Sequence, residues 1–216
     1  MKLLVICLFI IDVIIHLYAS MMRIKALRNI SKIFIIPLLI ILYIISTNTI
    51  KPFFIAALLF SWLGDLFLIK KGYLFFSFGG ISFGLAHIFF MVTYFPYIHL
   101  NGIELIIVCI IALLYLTIVA IYFKNLRTYL PKLLFPPMVL YLLANASMNC
   151  FAFALFISNP SILTFIIYIG GLLFFISDCN LFAVRFMVED KKQNHFIVML
   201  TYIIAELLIV IGIINI

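Results

Sequence analysis

Eight apolar stretches follow one another along this chain almost without interruption, and no other feature restricts its fold so severely. They run approximately over residues 3 to 20, 33 to 49, 52 to 69, 74 to 95, 103 to 122, 133 to 157, 161 to 184 and 196 to 214. A bilayer core takes about 20 apolar residues per spanning helix, and shorter runs suffice when flanking side chains reach the interface. Such segments cannot build a water-facing surface. Of the residues, 68% are hydrophobic and 10% charged, against roughly 25% charged in soluble domains. The expectation is an all-α integral membrane protein, with residues 1–216 forming a single domain of about eight transmembrane helices in one bundle.

The basic residues give that bundle a direction. Arg23, Lys25, Arg28 and Lys32 fall in the first loop, Lys70 and Lys71 in the third, Lys124, Arg127 and Lys132 in the fifth, and Arg185, Lys191 and Lys192 in the seventh. Only Lys2 and Lys51 lie outside them. By the positive-inside rule the odd loops are cytoplasmic and both termini lie on the non-cytoplasmic side. The net charge of +7 is thereby accounted for by loops rather than by one basic face, and nucleic acid is not an expected partner. The first twenty residues also have the outline of a secretory signal, from Lys2 to Ala19-Ser20, but Asp12 inside the apolar run and the basic segment after it favour a first span.

Several residues read as structural. Cys7, Cys109, Cys150 and Cys179 lie inside apolar stretches without a C-x-x-C spacing and are expected to pack. Gly79, Gly80, Gly84, Gly170 and Gly171 are expected at close helix contacts. Pro52 suits the first turn of the third helix, so segments two and three form a hairpin. Glu189 and Asp190 belong to the charged seventh loop. No internal repeat stands out.

Ionisable groups within spans are costly, so they are the first candidates for function. Asp12, Asp65, His87, Asp178 and Glu206 are such groups, with His16 and Glu104 nearer the boundaries. Asp65 stands five residues before Lys70 and Asp178 seven before Arg185, which puts them about 8 and 10 Å inside the cytoplasmic end. His87, Asn145 and Glu206 lie somewhat deeper, and one cavity can collect all five. Spacings of four place Ser61 with Asp65, Tyr141 with Asn145, Asn145 with Asn149, and Tyr202 with Glu206 on common helix faces. Polar pairs of this kind also serve simply to hold helices together.

Two carboxyl groups in one buried cavity can divide labour, one holding a proton while the other stays ionised. The same residue types also make a proton or cation relay, and spacing does not choose between them. A three-histidine zinc site has no support, because of His16, His87, His99 and His195 only His87 is deep in a span. No G-x-S-x-G, H-E-x-x-H or phosphate-cradling glycine loop occurs. Neither a metal nor a cofactor is expected.

The run Ser61-Trp62-Leu63-Gly64-Asp65-Leu66, followed by Gly84-Leu85-Ala86-His87 and Tyr94, resembles the third and fourth helices of the YhhN-like lysoplasmalogenase family. The stretch from Gly170 to Ser177-Asp178, with Arg185-Phe186 after it, is similar to that family's G-x-x-x-F-x-x-S-D pattern. Thr201-Tyr202 and Ala205-Glu206-Leu207-Leu208 resemble its last helix, in which Glu206 stands where the family usually has Gln. Lys32 also fits, at the start of segment two.

The resemblance implies a hydrolase that cleaves the vinyl ether bond of lysoplasmalogens to a fatty aldehyde and a glycerophospho-base. It implies Asp65 and Asp178 as the catalytic pair, in unassigned roles. Lys32, His87, Tyr141, Asn145, Tyr202 and Glu206 would then contact water or the lysophospholipid, with Lys32 either on the lipid phosphate or only a topology charge. The competing class is a small lipid or proton-coupled transporter using Asp12, Asp65, Asp178 and Glu206, and a scaffold role stands third.

Overall fold

The computed structural model describes residues 1–187 and 192–216, residues 192–194 by their backbone alone. Lys191, Glu189 and Asp190 of the seventh loop, and the side chain of Lys192, lie outside the described residues. Eight helices long and apolar enough to cross a membrane account for nearly all of the described chain, which is an integral multi-pass membrane protein. They are α1 Lys2–Met22, α2 Lys25–Ile44, α3 Pro52–Ile69, α4 Tyr73–Tyr94, α5 Gly102–Leu126, α6 Phe135–Ser158, α7 Ile162–Phe186 and α8 Lys192–Ile214. No strand occurs among the described residues.

The largest departure from the sequence reading is at α2. Its span was expected from residue 33, yet the helix starts at Lys25 and ends at Ile44 rather than near 49. The link from α1 is only Arg23 and Ile24, with Arg23 in the left-handed region at φ 56°. Lys25, Arg28 and Lys32 are therefore helical residues rather than loop residues, as are Lys124 in α5 and Arg185 in α7. A helix accommodates them because Lys25, Lys124 and Arg185 lie exposed near helix ends, while Lys32 has an acidic partner inside the bundle. For brevity, the end of the bundle where these residues collect is called the basic end.

Chain order does not dictate neighbours throughout. α2, α3, α4, α6, α7 and α8 close a ring, each packing on the next and α8 returning to α2. α1 lies against α2 and α8, and α5 packs outside on α6, so that α4 meets α6 directly. α5 is also the least buried of the eight helices. Its buried residues, Tyr115, Val119, Phe123 and Leu126, form one face of its second half only.

Local chemistry fixes these contacts. Pro37 sits inside α2 and has no amide proton to offer the carbonyl of Ile33. In hydrocarbon that carbonyl needs another donor, and the Trp62 indole of α3 supplies it at 2.9 Å. Pro52 opens α3 as expected. Glu104, a boundary acid in the sequence, closes a capping box with Asn101 at the start of α5. At the far end from the basic residues, the partly buried Lys51 amine donates to the Ile213 carbonyl of α8 at 3.4 Å, and its burial lowers it from lysine's ordinary value.

Gly170 confirms the packing expected of it: a Cβ there would stand 2.9 Å from the Ala205 carbonyl oxygen of α8. Gly79 and Gly171 are also in close contact, but Gly80 faces open space and Gly84 meets only Tyr141 at 3.9 Å. Those two do not mark tight contacts. Nor do all the cysteines pack, since Cys7 and Cys109 are exposed and only Cys150 and Cys179 are partly buried.

Candidate functional site

Each of the six ring helices sends polar side chains inward. α2 provides Lys32, α3 Ser61 and Asp65, α4 His87, α6 Tyr141 and Asn145, α7 Asp178, and α8 Tyr202 and Glu206. All but Lys32 are buried, and its side chain is 14% exposed. The structure thus brings together all eight residues singled out from the sequence, with Ser61 as a ninth.

The two aspartates have unlike partners. Asp65 is ion-paired with the Lys32 amine at 3.0 Å and accepts a hydrogen bond from the Tyr202 hydroxyl at 2.8 Å. The lysine is therefore more than a loop charge, because it is the countercharge of a buried carboxylate. Asp178 has no lysine or arginine paired with it among the described residues. Its Oδ2 accepts from the Asn145 amide and lies 3.7 Å from His87 Nε2, close enough for charge attraction but too far for a hydrogen bond. The Tyr141 hydroxyl is its neighbour as well.

Glu206 sits one turn deeper than Tyr202 on α8, within electrostatic reach of both aspartates and beside Ser61. Neither oxygen of Glu206, the Ser61 and Tyr141 hydroxyls, nor either ring nitrogen of His87 closes a hydrogen bond with a described residue. The same holds for the hydroxyl of Tyr94, seven residues beyond His87 on α4. The Ser61, Tyr141, His87 and Glu206 atoms are gathered around the aspartates, with Tyr94 farther on beside Glu206, in a medium where an unpartnered polar group costs several kcal/mol. Water and a polar ligand are the partners that such atoms can take.

Aromatic rings wall the cluster. Phe83 lies against Tyr141, Phe174 and Tyr202, with centroids 6.5, 6.2 and 5.9 Å away. The His87 ring packs on Phe174 at 4.8 Å and Tyr141 at 5.6 Å. On α7, the buried Ser177 turns toward α8 and donates to the Val198 carbonyl at 2.8 Å, while Asp178 turns to α6 and accepts from Asn145. A narrow cleft of about 20 Å³ between α4, α6 and α7 is lined in part by Ser77, Gly80 and Tyr141, and a Cβ at Gly80 would meet nothing within 4 Å.

Behind Asp178 runs a line of donors. Asn145 donates to the carboxylate, Asn149 donates to the Asn145 side-chain oxygen at 2.9 Å, and the Tyr115 hydroxyl of α5 donates to Asn149 at 3.4 Å. Gly171 makes room for this line, since a Cβ there would stand 2.9 Å from Asn149 Oδ1. Sequence spacing paired Asn145 with Asn149 but missed Tyr115, which lies on a helix that shows no amphipathic signal. Trp62 was visible only as part of a motif, although Pro37 one helix earlier signals that a donor is needed.

Asp12 and His16 do not join the cluster. They lie on α1, where His16 is hydrogen-bonded to Ser31 at 2.9 Å and Asp12 Oδ2 is buried without a partner among the described residues. No group of three or more His, Cys, Asp and Glu side chains placed to hold a metal ion occurs among the described residues.

No curated protein and no solved structure matches the chain. The family model described as the YhhN family matches residues 27–213, a range that contains all six ring helices apart from the first residues of α2 and the last of α8. With Lys32, Asp65, Asp178 and Glu206 all inside that range, the chain belongs to the YhhN family.

Proposed function

We propose that this protein is a lysoplasmalogenase-like membrane hydrolase that cleaves the vinyl ether of a lysophospholipid by carboxyl acid and base catalysis. The observation that carries the reading is the unequal pairing of two aspartates in one buried cluster. Asp65 has Lys32 as countercharge, whereas Asp178 has the neutral donor Asn145, the nearby Tyr141 hydroxyl and the uncommitted ring of His87 around it. A carboxylate and a carboxylic acid in one site are what vinyl ether hydrolysis requires.

The difficult step is protonation of the β carbon, which leaves an oxocarbenium ion. Asp178 donates that proton and the carbon–carbon double bond supplies the electron pair. The developing cation is stabilised by the Asp65 carboxylate, in the two-carboxylate manner of glycosidases. Water then adds to the α carbon and gives its proton to Asp65. The resulting hemiacetal collapses to the fatty aldehyde and the glycerol hydroxyl. The captured proton returns to Asp178 through water, with Tyr202 on Asp65 and Glu206 near both aspartates as polar neighbours of that water. Ser61, Tyr94, Tyr141 and His87 offer unpartnered polar atoms to water and the glycerol portion.

The test is aldehyde release from a lysoplasmalogen by protein purified in detergent micelles, where no gradient exists. Asp65→Asn and Asp178→Asn are each expected to lower the rate by about 10²–10⁴ per folded molecule, with Asp65→Asn read also beside Lys32→Met in the double variant, where no charge is stranded. Wild-type protein that releases no aldehyde but moves protons or lipid in vesicles would establish a carrier instead.

A further inference from the structure

We infer that the groove between α5 and α6 seats the hydrocarbon chain of the lipid whose reacting bond lies at Asp178; the inference rests on the hydrolase reading above. The groove has a volume of about 440 Å³, within the range of specific ligand sites. Val108, Ala112 and Leu116 of α5 and Leu143, Ala146 and Ala154 of α6 are among its walls.

The way α5 is held creates this space. Its second half packs through Tyr115, Val119, Phe123 and Leu126, whereas residues 103–114 include no buried side chain. Small residues on facing helices ordinarily let the backbones close together. Here Ala112 and Ala146 line an opening instead. Both helices belong to membrane spans and the lining is almost wholly apolar, so the occupant is hydrocarbon rather than water or an ion.

Direction and reach identify which hydrocarbon. Asp178 stands seven residues, about 10 Å, from Arg185 at the basic end. A lipid with its polar end at the basic interface and its reacting bond at Asp178 must send its chain deeper into the bilayer. The groove includes that level, because its lining on α6 starts at Leu143, two residues before Asn145, and it continues to Ala154, about 16 Å farther on. Tyr115 forms part of its wall, and the Tyr115 hydroxyl starts the line of hydrogen bonds through Asn149 and Asn145 to Asp178. The groove and the carboxyl thus share a wall.

The experiment compares Ala154→Phe and Ala112→Phe with wild type, using short-chain and long-chain lysophospholipids in two assays. One assay is binding of the saturated alkyl ether analogues, which cannot be hydrolysed; the other is aldehyde release from the vinyl ethers. The expected result is an affinity for the long-chain analogue weakened about tenfold or more relative to the short-chain analogue, with the same loss of chain-length preference in aldehyde release, in both plugged variants. Equal losses for both chain lengths, or no change in either variant, would overturn the assignment. Wild type that binds with chain-length discrimination, lost on plugging, but releases no aldehyde would remove the hydrolase reading and leave the groove in place. Hydrolysis that is indifferent to the plugs would do the reverse.

Discussion

At the scale of single residues, the Lys32–Asp65 pair governs the site. Removing one partner from a buried ion pair strands the other charge and costs about 3–5 kcal/mol. Lys32→Met is therefore expected to destabilise the protein by that order, read as a lower melting temperature in micelles. Adding Asp65→Asn should restore much of the stability without restoring activity. A double variant no more stable than Lys32→Met would show that the lysine acts elsewhere. Glu206 makes a different demand. Its oxygens face Ser61 and the two aspartates without a fixed protein partner, so what the position must supply is polarity. Glu206→Gln is expected to keep aldehyde release near wild type, and Glu206→Leu to lose it; equal rates in the two variants would remove Glu206 from the site. That Asp65, His87, Asn145, Asp178 and Glu206 would share one buried cluster was legible in the sequence because charged and amide groups in hydrocarbon are conspicuous. Their pairing was not, since spacing fixes the face of one helix but not the identity of the helix opposite.

Among the helices, α2 and α3 show how a breaker is made safe. Pro37 frees the Ile33 carbonyl and Trp62 recovers it. Leaving a buried carbonyl unpaired costs about 1–3 kcal/mol, so Trp62→Phe, which keeps most of the ring but not the donor, is expected to lower stability by that amount in a chemical denaturation series. A Trp62→Phe protein as stable as wild type would mean that water reaches Ile33. Existence and number of the spans were readable from run length, and α3 begins at Pro52 as its fixed φ requires. The start of α2 was not readable, because a helix end in an interface rich in basic residues carries no apolar signal. The outer place of α5 was hidden for the opposite reason. It is apolar on every face, so nothing in its pattern distinguishes lipid from protein as its neighbour.

For the molecule as a whole, the basic residues collect at one end of the ring, and the odd-numbered connections that bear them predict a cytoplasmic basic end. Single cysteines introduced at Lys71 and Asn159, in a background lacking the four native cysteines, test this in intact cells. Lys71→Cys is expected to resist a membrane-impermeant thiol reagent and Asn159→Cys to react. The opposite labelling would turn the protein over and place the aspartates near the other leaflet.

The ring also has an order of manufacture. Helices enter the membrane in sequence, so α2 and α3 can join Lys32 to Asp65 early in synthesis, and Asn145 is present before Asp178 emerges. Tyr202 and Glu206 belong to the last helix, which alone packs against both α7 and α2. Until the ribosome has delivered it, the chain is an open arc whose aspartates cannot share an enclosed chamber. A chain that stops short of α8 therefore lacks Tyr202 and Glu206 and leaves the ring open between α7 and α2, and aldehyde release is expected only from the closed ring.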